Sequence, residues 1–160
     1  MRSRRRPARS RGFTLGELVL SIVLMGILAA IALPRMMSSK GFASRGFYDE
    51  AQSVVRYTQK TAIAWRRPIL VCIDADKIRA ISTGTCAAPL TAVPNPVHTS
   101  DPLQTSPAPD GVTLSPVGSF SFDGMGKPSA ATTITLTSTI ANDPARVINI
   151  AVETGYVYRN

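Results

Sequence analysis

Apolar positions are concentrated near the start of the chain. From Phe13 to Leu33 almost every residue is apolar, and Glu17 is the one charged residue of the stretch. As a helix, these 21 residues would extend about 31 Å at 1.5 Å per residue, which is close to the hydrocarbon thickness of a bilayer. The pattern therefore predicts a transmembrane helix over residues 13–34.

Beyond Pro34 the apolar positions recur at helical spacing. They predict a second helical segment that continues the first over residues 35–67 and packs on the rest of the chain. Asp49 and Glu50 are expected in its first turns and Pro68 just after its end. Tyr57 flanks the apolar face. The face itself contains Phe47, Ala51, Val54, Val55, Thr58, Ala62 and Trp65, and both aromatic side chains, Tyr57 and Trp65, are expected to pack against a sheet.

Strand-like patterns follow Pro68. Ile69 to Ile73 and Lys77 to Ser82 flank the turn residues Asp74-Ala75-Asp76, which is typical of a hairpin. Seven prolines between Pro89 and Pro116 predict a long exposed loop. Further short strands are predicted at Val112–Leu114, Ser119–Phe122, Thr132–Thr137, Arg146–Val152 and Tyr156–Tyr158.

These elements predict an α+β fold in a chain of 160 residues, long enough for one modest core. A long N-terminal helix, transmembrane in its first half, is expected to pack on a small antiparallel β-sheet head over residues 68–160.

Charged residues, like apolar ones, are unevenly distributed along the chain. The chain carries a net charge of +8, but six arginines and no acidic residue lie in residues 1–12, and the remainder has 12 basic and 10 acidic residues, or +2. A basic run before an apolar stretch is typical of a leader held on the cytoplasmic side of a membrane. A nucleic-acid-binding arm is the alternative.

Glu17 requires a partner. A carboxylate in hydrocarbon costs about 2.5–3.5 kcal/mol, and no Lys or Arg lies between Phe13 and Leu33. The compensating cation would come from the membrane interface, from another chain or from a newly formed N-terminal amine.

The run Arg11-Gly12-Phe13-Thr14-Leu15-Gly16-Glu17-Leu18, continued to Pro34, resembles the class III signal of type IV pilins and pseudopilins. The resemblance implies that a prepilin peptidase cuts after Gly12 and N-methylates Phe13, and that Glu17 acts in assembly. It also implies a single-pass protein of the bacterial inner membrane with a periplasmic head, which later joins a filament of other pilin or pseudopilin subunits. Gly16 departs from the bulkier aliphatic residue usual at its position.

An ordinary secretory signal is the alternative. Ala30-Ile31-Ala32 would suit its peptidase and release a periplasmic protein beginning at Leu33, but this interpretation leaves Glu17 unexplained.

The head carries a second, narrower resemblance. Phe122-Asp123-Gly124-Met125-Gly126-Lys127-Pro128 and Arg146-Val147-Ile148-Asn149-Ile150 resemble minor pilins and pseudopilins of the FimT/GspH type. Two strings, Arg45–Glu50 and Glu153–Val157, resemble more narrowly a minor pilin of mannose-sensitive haemagglutinin pilus systems.

Cys72 and Cys86 are expected to form a disulfide if the head is periplasmic, with two free thiols as the alternative. Together with His98 alone they make a poor metal site, so no metal is predicted. Major pilins usually carry their cysteines near the C-terminus, whereas none follows Cys86, and this favours a minor subunit.

The sequence has no catalytic constellation, so we predict neither enzymatic activity nor a cofactor. Asp74 and Asp76 are interpreted as a solvated turn. A second hypothesis is that the head binds DNA or a surface, as some FimT-like pilins do, although the arginines available for it are dispersed: Arg66, Arg67, Arg79, Arg146 and Arg159. The sequence does not distinguish a pilus from a secretion pseudopilus.

Overall fold

The computed structural model describes residues 13–36 and 39–159, which fall into two compact units divided between Ser38 and Ser39. Each unit is considered by itself. The predicted leader, residues 1–12, and with it Gly12, lies outside the described residues.

The first unit contains one helix, α1, over Leu15–Met36. It begins two residues after Phe13 and continues through Pro34, so it coincides closely with the predicted apolar segment. Within the described residues, no helix reaches the combination of length and hydropathy needed to cross a membrane.

The second unit contains both α2, over Ser39–Trp65, and the predicted β-sheet region, and we call this whole unit the head. The predicted apolar face is confirmed for most of its length, because Phe47, Ala51, Val55 and Ala62 are buried. The prediction for Trp65 is wrong: its side chain is 40% exposed, and the guanidinium of Arg67 lies 4.6 Å from the ring centroid. Trp65 is the last helical residue, and the chain turns away at Arg66 in a left-handed conformation (φ 50°).

The predicted position of Asp49 and Glu50 in the first turns of this helix is also wrong. The helix begins at Ser39, so both residues lie in its interior and neither stabilises its N-terminus. Glu50 instead accepts hydrogen bonds from the backbone N–H (2.8 Å) and the hydroxyl (3.1 Å) of Ser106. This contact ties the helix to the proline-rich segment.

The described part of the head contains eight strands, all paired in antiparallel fashion: β1 Ile69–Ile73, β2 Ile78–Gly84, β3 Pro89–Ala92, β4 Val112–Ser115, β5 Gly118–Phe122, β6 Thr132–Ser138, β7 Arg146–Ile150 and β8 Val157–Arg159. They form two four-stranded sheets, of order β3-β2-β1-β5 and β4-β6-β7-β8. The α+β class and the β1–β2 hairpin are confirmed, although the head has two sheets where one small sheet was expected.

The core lies between α2 and the sheets. Helix α2 contacts β1, β2 and β5 of the first sheet and β8 of the second. Buried side chains alternate along β4, β6 and β7, as in antiparallel strands with one covered face, whereas four of the five residues of β1 are buried. The largest fully buried side chains include Phe122, Ile69, Ile78, Ile134, Leu136 and Ile148.

The proline-rich segment is only partly the exposed loop that its composition predicts. Its first residues form β3, an edge strand, where the missing N–H of Pro89 is tolerated. Val93, Leu103 and Thr105 are buried, and the Thr105 hydroxyl accepts a hydrogen bond from the Ile78 N–H (3.1 Å). The prolines therefore shape a segment that folds back onto the first sheet.

One helical side chain connects the turns that follow β5 and β7. The amide nitrogen of Gln59 donates to the backbone oxygens of Gly126 and Thr154, at 3.0 Å each. Gly126 and Gly155 both have positive φ values (84° and 67°), and a β-carbon at Gly155 would collide with the Gly126 oxygen. Glycine is favoured at both positions by the positive φ, at Gly155 also by the contact between the two turns, and at Gly126 also by the adjacent Ile63 side chain.

Candidate functional site

The first turn of α1 contains the residues predicted to act in processing and assembly. Phe13 precedes the helix and is 73% exposed. Thr14 caps the helix: its hydroxyl accepts from the Glu17 N–H at 3.3 Å, and its carbonyl accepts from the Leu18 N–H at 3.1 Å. Glu17 therefore lies in the first turn, where the helix dipole favours a carboxylate.

The Glu17 carboxylate has no cationic partner among the described ion pairs of the chain. Its backbone oxygen accepts a hydrogen bond from the Ser21 hydroxyl at 2.7 Å, but this bond does not engage the charged group. The structure thus places Phe13 and Glu17 within one helical turn of each other, while Gly12 lies outside the described residues.

Every residue from 13 to 29 is exposed, and from Leu15 onward these residues belong to α1. At 100° per residue the apolar members cover every side of the helix, so no polar face is available for water. An exposed apolar surface of this extent marks a site of contact with a membrane or another protein. Its large side chains are Leu15, Leu18, Val19, Leu20, Ile22, Val23, Leu24, Met25, Ile27 and Leu28.

Cys72 and Cys86 form the predicted disulfide, with their Cα atoms 5.6 Å apart. It links β1 to the loop after β2. Arg79 supports the same region: it pairs with Asp74 at 2.8 Å and donates to the Cys86 carbonyl at 3.2 Å. Asp74 is thus half of an ion pair, which corrects its interpretation as a solvated turn residue. Within the described residues, no three His, Cys, Asp or Glu side chains are grouped so as to hold a metal ion.

Helix α2 is joined to the second sheet by polar contacts that the sequence analysis missed. The buried Tyr48 hydroxyl donates to the Val147 carbonyl at 2.9 Å, and burial is the main cause of its raised pKa. Arg56 donates from Nε (3.2 Å) and Nη2 (2.9 Å) to the Val157 carbonyl. Neither contact has a sequence signal, because both join residues about 100 positions apart.

Arg146 also connects α2 to the second sheet. Its Nη2 lies 2.6 Å from Oδ1 of Asp143, and its Nη1 donates to the Ser44 hydroxyl at 2.9 Å. The hydrogen bond from Arg146, assisted by the Ser44 hydroxyl, lowers the pKa of Asp143 from 3.8 to about 2. The spacing of three residues between the two charges was the available sequence signal.

The arginines considered for DNA binding are therefore partly occupied. Arg79 and Arg146 form ion pairs, and Arg67 lies over Trp65.

Two family models match the chain. The type II transport protein GspH model matches residues 49–155, and the prokaryotic N-terminal methylation motif matches residues 7–33. The first match covers more than half of the chain, and the second contains Gly12, Phe13 and Glu17.

The chain is also similar to the type IV narrow pilus major component PilA5 of Thermus thermophilus, with 38% identity over 64 residues. This similarity covers 40% of the chain and 55% of that protein, so the chain spans about half the length of this relative.

Two solved structures share the fold. The type IV minor pilin FimU of Pseudomonas aeruginosa aligns with a TM-score of 0.52 at 16% identity, over 81% of this chain and 92% of that one. The minor pseudopilin EpsH of the Vibrio cholerae type 2 secretion system aligns with a TM-score of 0.52 at 12% identity, over 74% and 94%. At this identity the likeness concerns the fold alone. The family matched over residues 49–155 is structural rather than catalytic, and this chain belongs to it: it is a member of the GspH family of type II transport proteins.

Proposed function

We propose that the chain is a minor pilin or pseudopilin, cut after Gly12 and N-methylated at Phe13 by a prepilin peptidase, and then incorporated into a filament. The observation that carries the proposal is α1, whose apolar side chains are exposed on all sides and most of which lies within the N-terminal methylation motif matched over residues 7–33. The relatives named above include proteins of type IV pili and of a type 2 secretion system, so the filament is a type IV pilus or a secretion pseudopilus.

The helix α1 has two successive environments in this proposal. Before assembly it anchors the protein in the bacterial inner membrane as a single pass, with the leader in the cytoplasm and the head in the periplasm. After assembly it packs against the corresponding helices of other subunits. Both environments are apolar, which accounts for the lack of a polar face on α1.

Glu17 supplies the polar contact of assembly. Cleavage after Gly12 creates a positively charged amine on Phe13, one helical turn from Glu17 of the same chain and accessible to Glu17 of a neighbouring subunit. Pairing with this amine offsets the cost of placing a carboxylate in hydrocarbon and fixes the register of adjacent helices.

N-terminal processing of the native protein provides the test. Intact-mass and N-terminal analysis should find a chain that begins with methylated Phe13 and has lost all six leader arginines. Such a chain keeps α1 and should partition with the membrane until it is assembled. A chain that begins at Leu33 would show ordinary signal cleavage instead, and the proposal would be wrong.

A further inference from the structure

A groove on the head lies where α2 meets the end of β8 and the start of β7. It has a volume of about 490 Å³. Three arginines line it, Arg45 from α2, Arg146 from β7 and Arg159 from β8, together with Tyr48 and Asp49. We call it the arginine groove.

The three arginines are not equivalent. Arg146 is held by Asp143 and Ser44 and has little freedom to bind anything else. Arg45 and Arg159 are exposed, and neither takes part in an ion pair within the described residues. Two guanidinium groups are therefore available in a concave site whose buried wall is Tyr48.

The charges in the groove favour an anion. Because Asp143 neutralises Arg146, the remaining charges in the described lining are the guanidinium groups of Arg45 and Arg159 and the single carboxylate of Asp49. A guanidinium offers two parallel N–H donors that match a carboxylate, so a planar carboxylate is a suitable ligand.

We propose that the arginine groove is the docking site for an Asp or Glu side chain of a neighbouring subunit in the filament. This inference rests on the proposed function. The position of Asp49 disfavours a polyanion such as nucleic acid, because a row of phosphates would repel its carboxylate. A protein surface can instead place one acidic side chain between Arg45 and Arg159 and a basic one beside Asp49.

A double charge reversal tests the proposal in cells that assemble the filament. Arg45→Glu with Arg159→Glu should reduce incorporation at least about tenfold, because like charges would then face each other across the contact. Lys60→Glu with Arg67→Glu is the matched control, since both residues are exposed and lie outside the groove and the pair changes the net charge equally; this variant should incorporate normally. Normal incorporation of the double variant would overturn the inference.

The methylated N-terminus and the Cys72–Cys86 disulfide are measured in the same cells. If the wild-type chain itself is neither methylated nor incorporated, the proposed function fails. If the wild type is incorporated and the processed, disulfide-bonded double variant is incorporated equally well, only the groove inference fails.

Photo-crosslinking identifies the occupant. A photoreactive residue in place of Arg159 should yield a crosslinked peptide from another subunit that contains Asp or Glu. Replacement of that acid by Arg should then restore incorporation of the double variant. Crosslinking to nucleic acid, or to a subunit peptide without an acidic residue, would contradict the proposal.

Discussion

Helix α1 and the head contain similar apolar residues in opposite environments. In the head, Phe122 and Ile134 are fully buried, whereas in α1 Leu24 and Leu28 are 52% and 67% exposed. Hydrophobic side chains of the head stabilise the fold of this chain, whereas those of α1 are exposed and, in the proposed function, contact the membrane and other subunits. Hydropathy alone does not distinguish the apolar residues of the head from those of α1, whereas burial does.

Polar groups also differ between the two regions in whether they have partners within the described residues. In the head, Arg146 pairs with Asp143 and donates a hydrogen bond to the Ser44 hydroxyl, and Glu50 accepts hydrogen bonds from Ser106. In α1, the Glu17 carboxylate has no cationic partner within the described residues. The head is organised by contacts within the chain, and we infer that α1 is organised by contacts with other chains.

Truncation of one core side chain should affect the head far more than an equivalent change in α1. Phe122 is fully buried and packs edge to face with Phe120, with ring centroids 5.2 Å apart. Phe122→Ala should lower the free energy of unfolding of the head by about 3–5 kcal/mol. Leu24→Ala, at an exposed site, should leave it unchanged.

Thermal unfolding and protease resistance of the full chain in detergent measure both effects. Equal destabilisation by the two variants would mean that α1 contributes to the stability of the head, and the contrast drawn above would not hold.

Removal of the Glu17 charge should affect assembly and spare the head. Glu17→Ala and Glu17→Gln should both be processed to methylated Phe13 and show normal unfolding of the head. Incorporation into filaments should fall at least about tenfold for both, the effect expected when an ion pair in an apolar environment loses one charge. Glu17→Gln is the informative comparison, because it keeps the size of the side chain and one acceptor oxygen while it removes the charge. Normal incorporation of this variant would show that the charge is not required.

The smallest expected effect is a loss of head stability in acid, caused by protonation of Asp143. Its pKa is lowered to about 2 in the folded chain by the hydrogen bond from Arg146, against an ordinary value of 3.8. The stabilisation is therefore complete above about pH 4 and is lost as the pH falls through about 2.

Unfolding of the head measured between pH 7 and pH 2 should show this loss, and Asp143→Asn should reduce the slope between pH 4 and pH 2. An unchanged slope in the variant would show that another carboxylate is responsible.

Local patterns predicted much of the fold. The β1 boundaries and its pairing with β2 follow from a short apolar run and the turn at Asp74–Asp76, and α2 buries the face expected from its spacing. The exposure of Trp65 was not predictable, because it depends on where the helix ends and not on the spacing of its apolar residues. The buried Leu103 was missed because proline content indicates a loop and does not reveal what that loop covers.

The candidate site also contains residues that a local sequence pattern reveals and residues that it does not. Phe13 and Glu17 are predicted from the sequence because their motif is contiguous. Arg45 and Arg159 could not be brought together by any local signal, since the groove exists only when α2 lies beside β8.

The contact between Gln59, Gly126 and Gly155 has a practical consequence for labelling the head. The turns after β5 and β7 each resemble a surface turn that would accept an inserted epitope or dye site, and Met125 at the tip of the first is 83% exposed. Because Gln59 holds both turns and the Gly126 oxygen occupies the space beside Gly155, an insertion in either one would displace the other. Replacement of an exposed side chain, as at Met125, is the gentler way to attach a label.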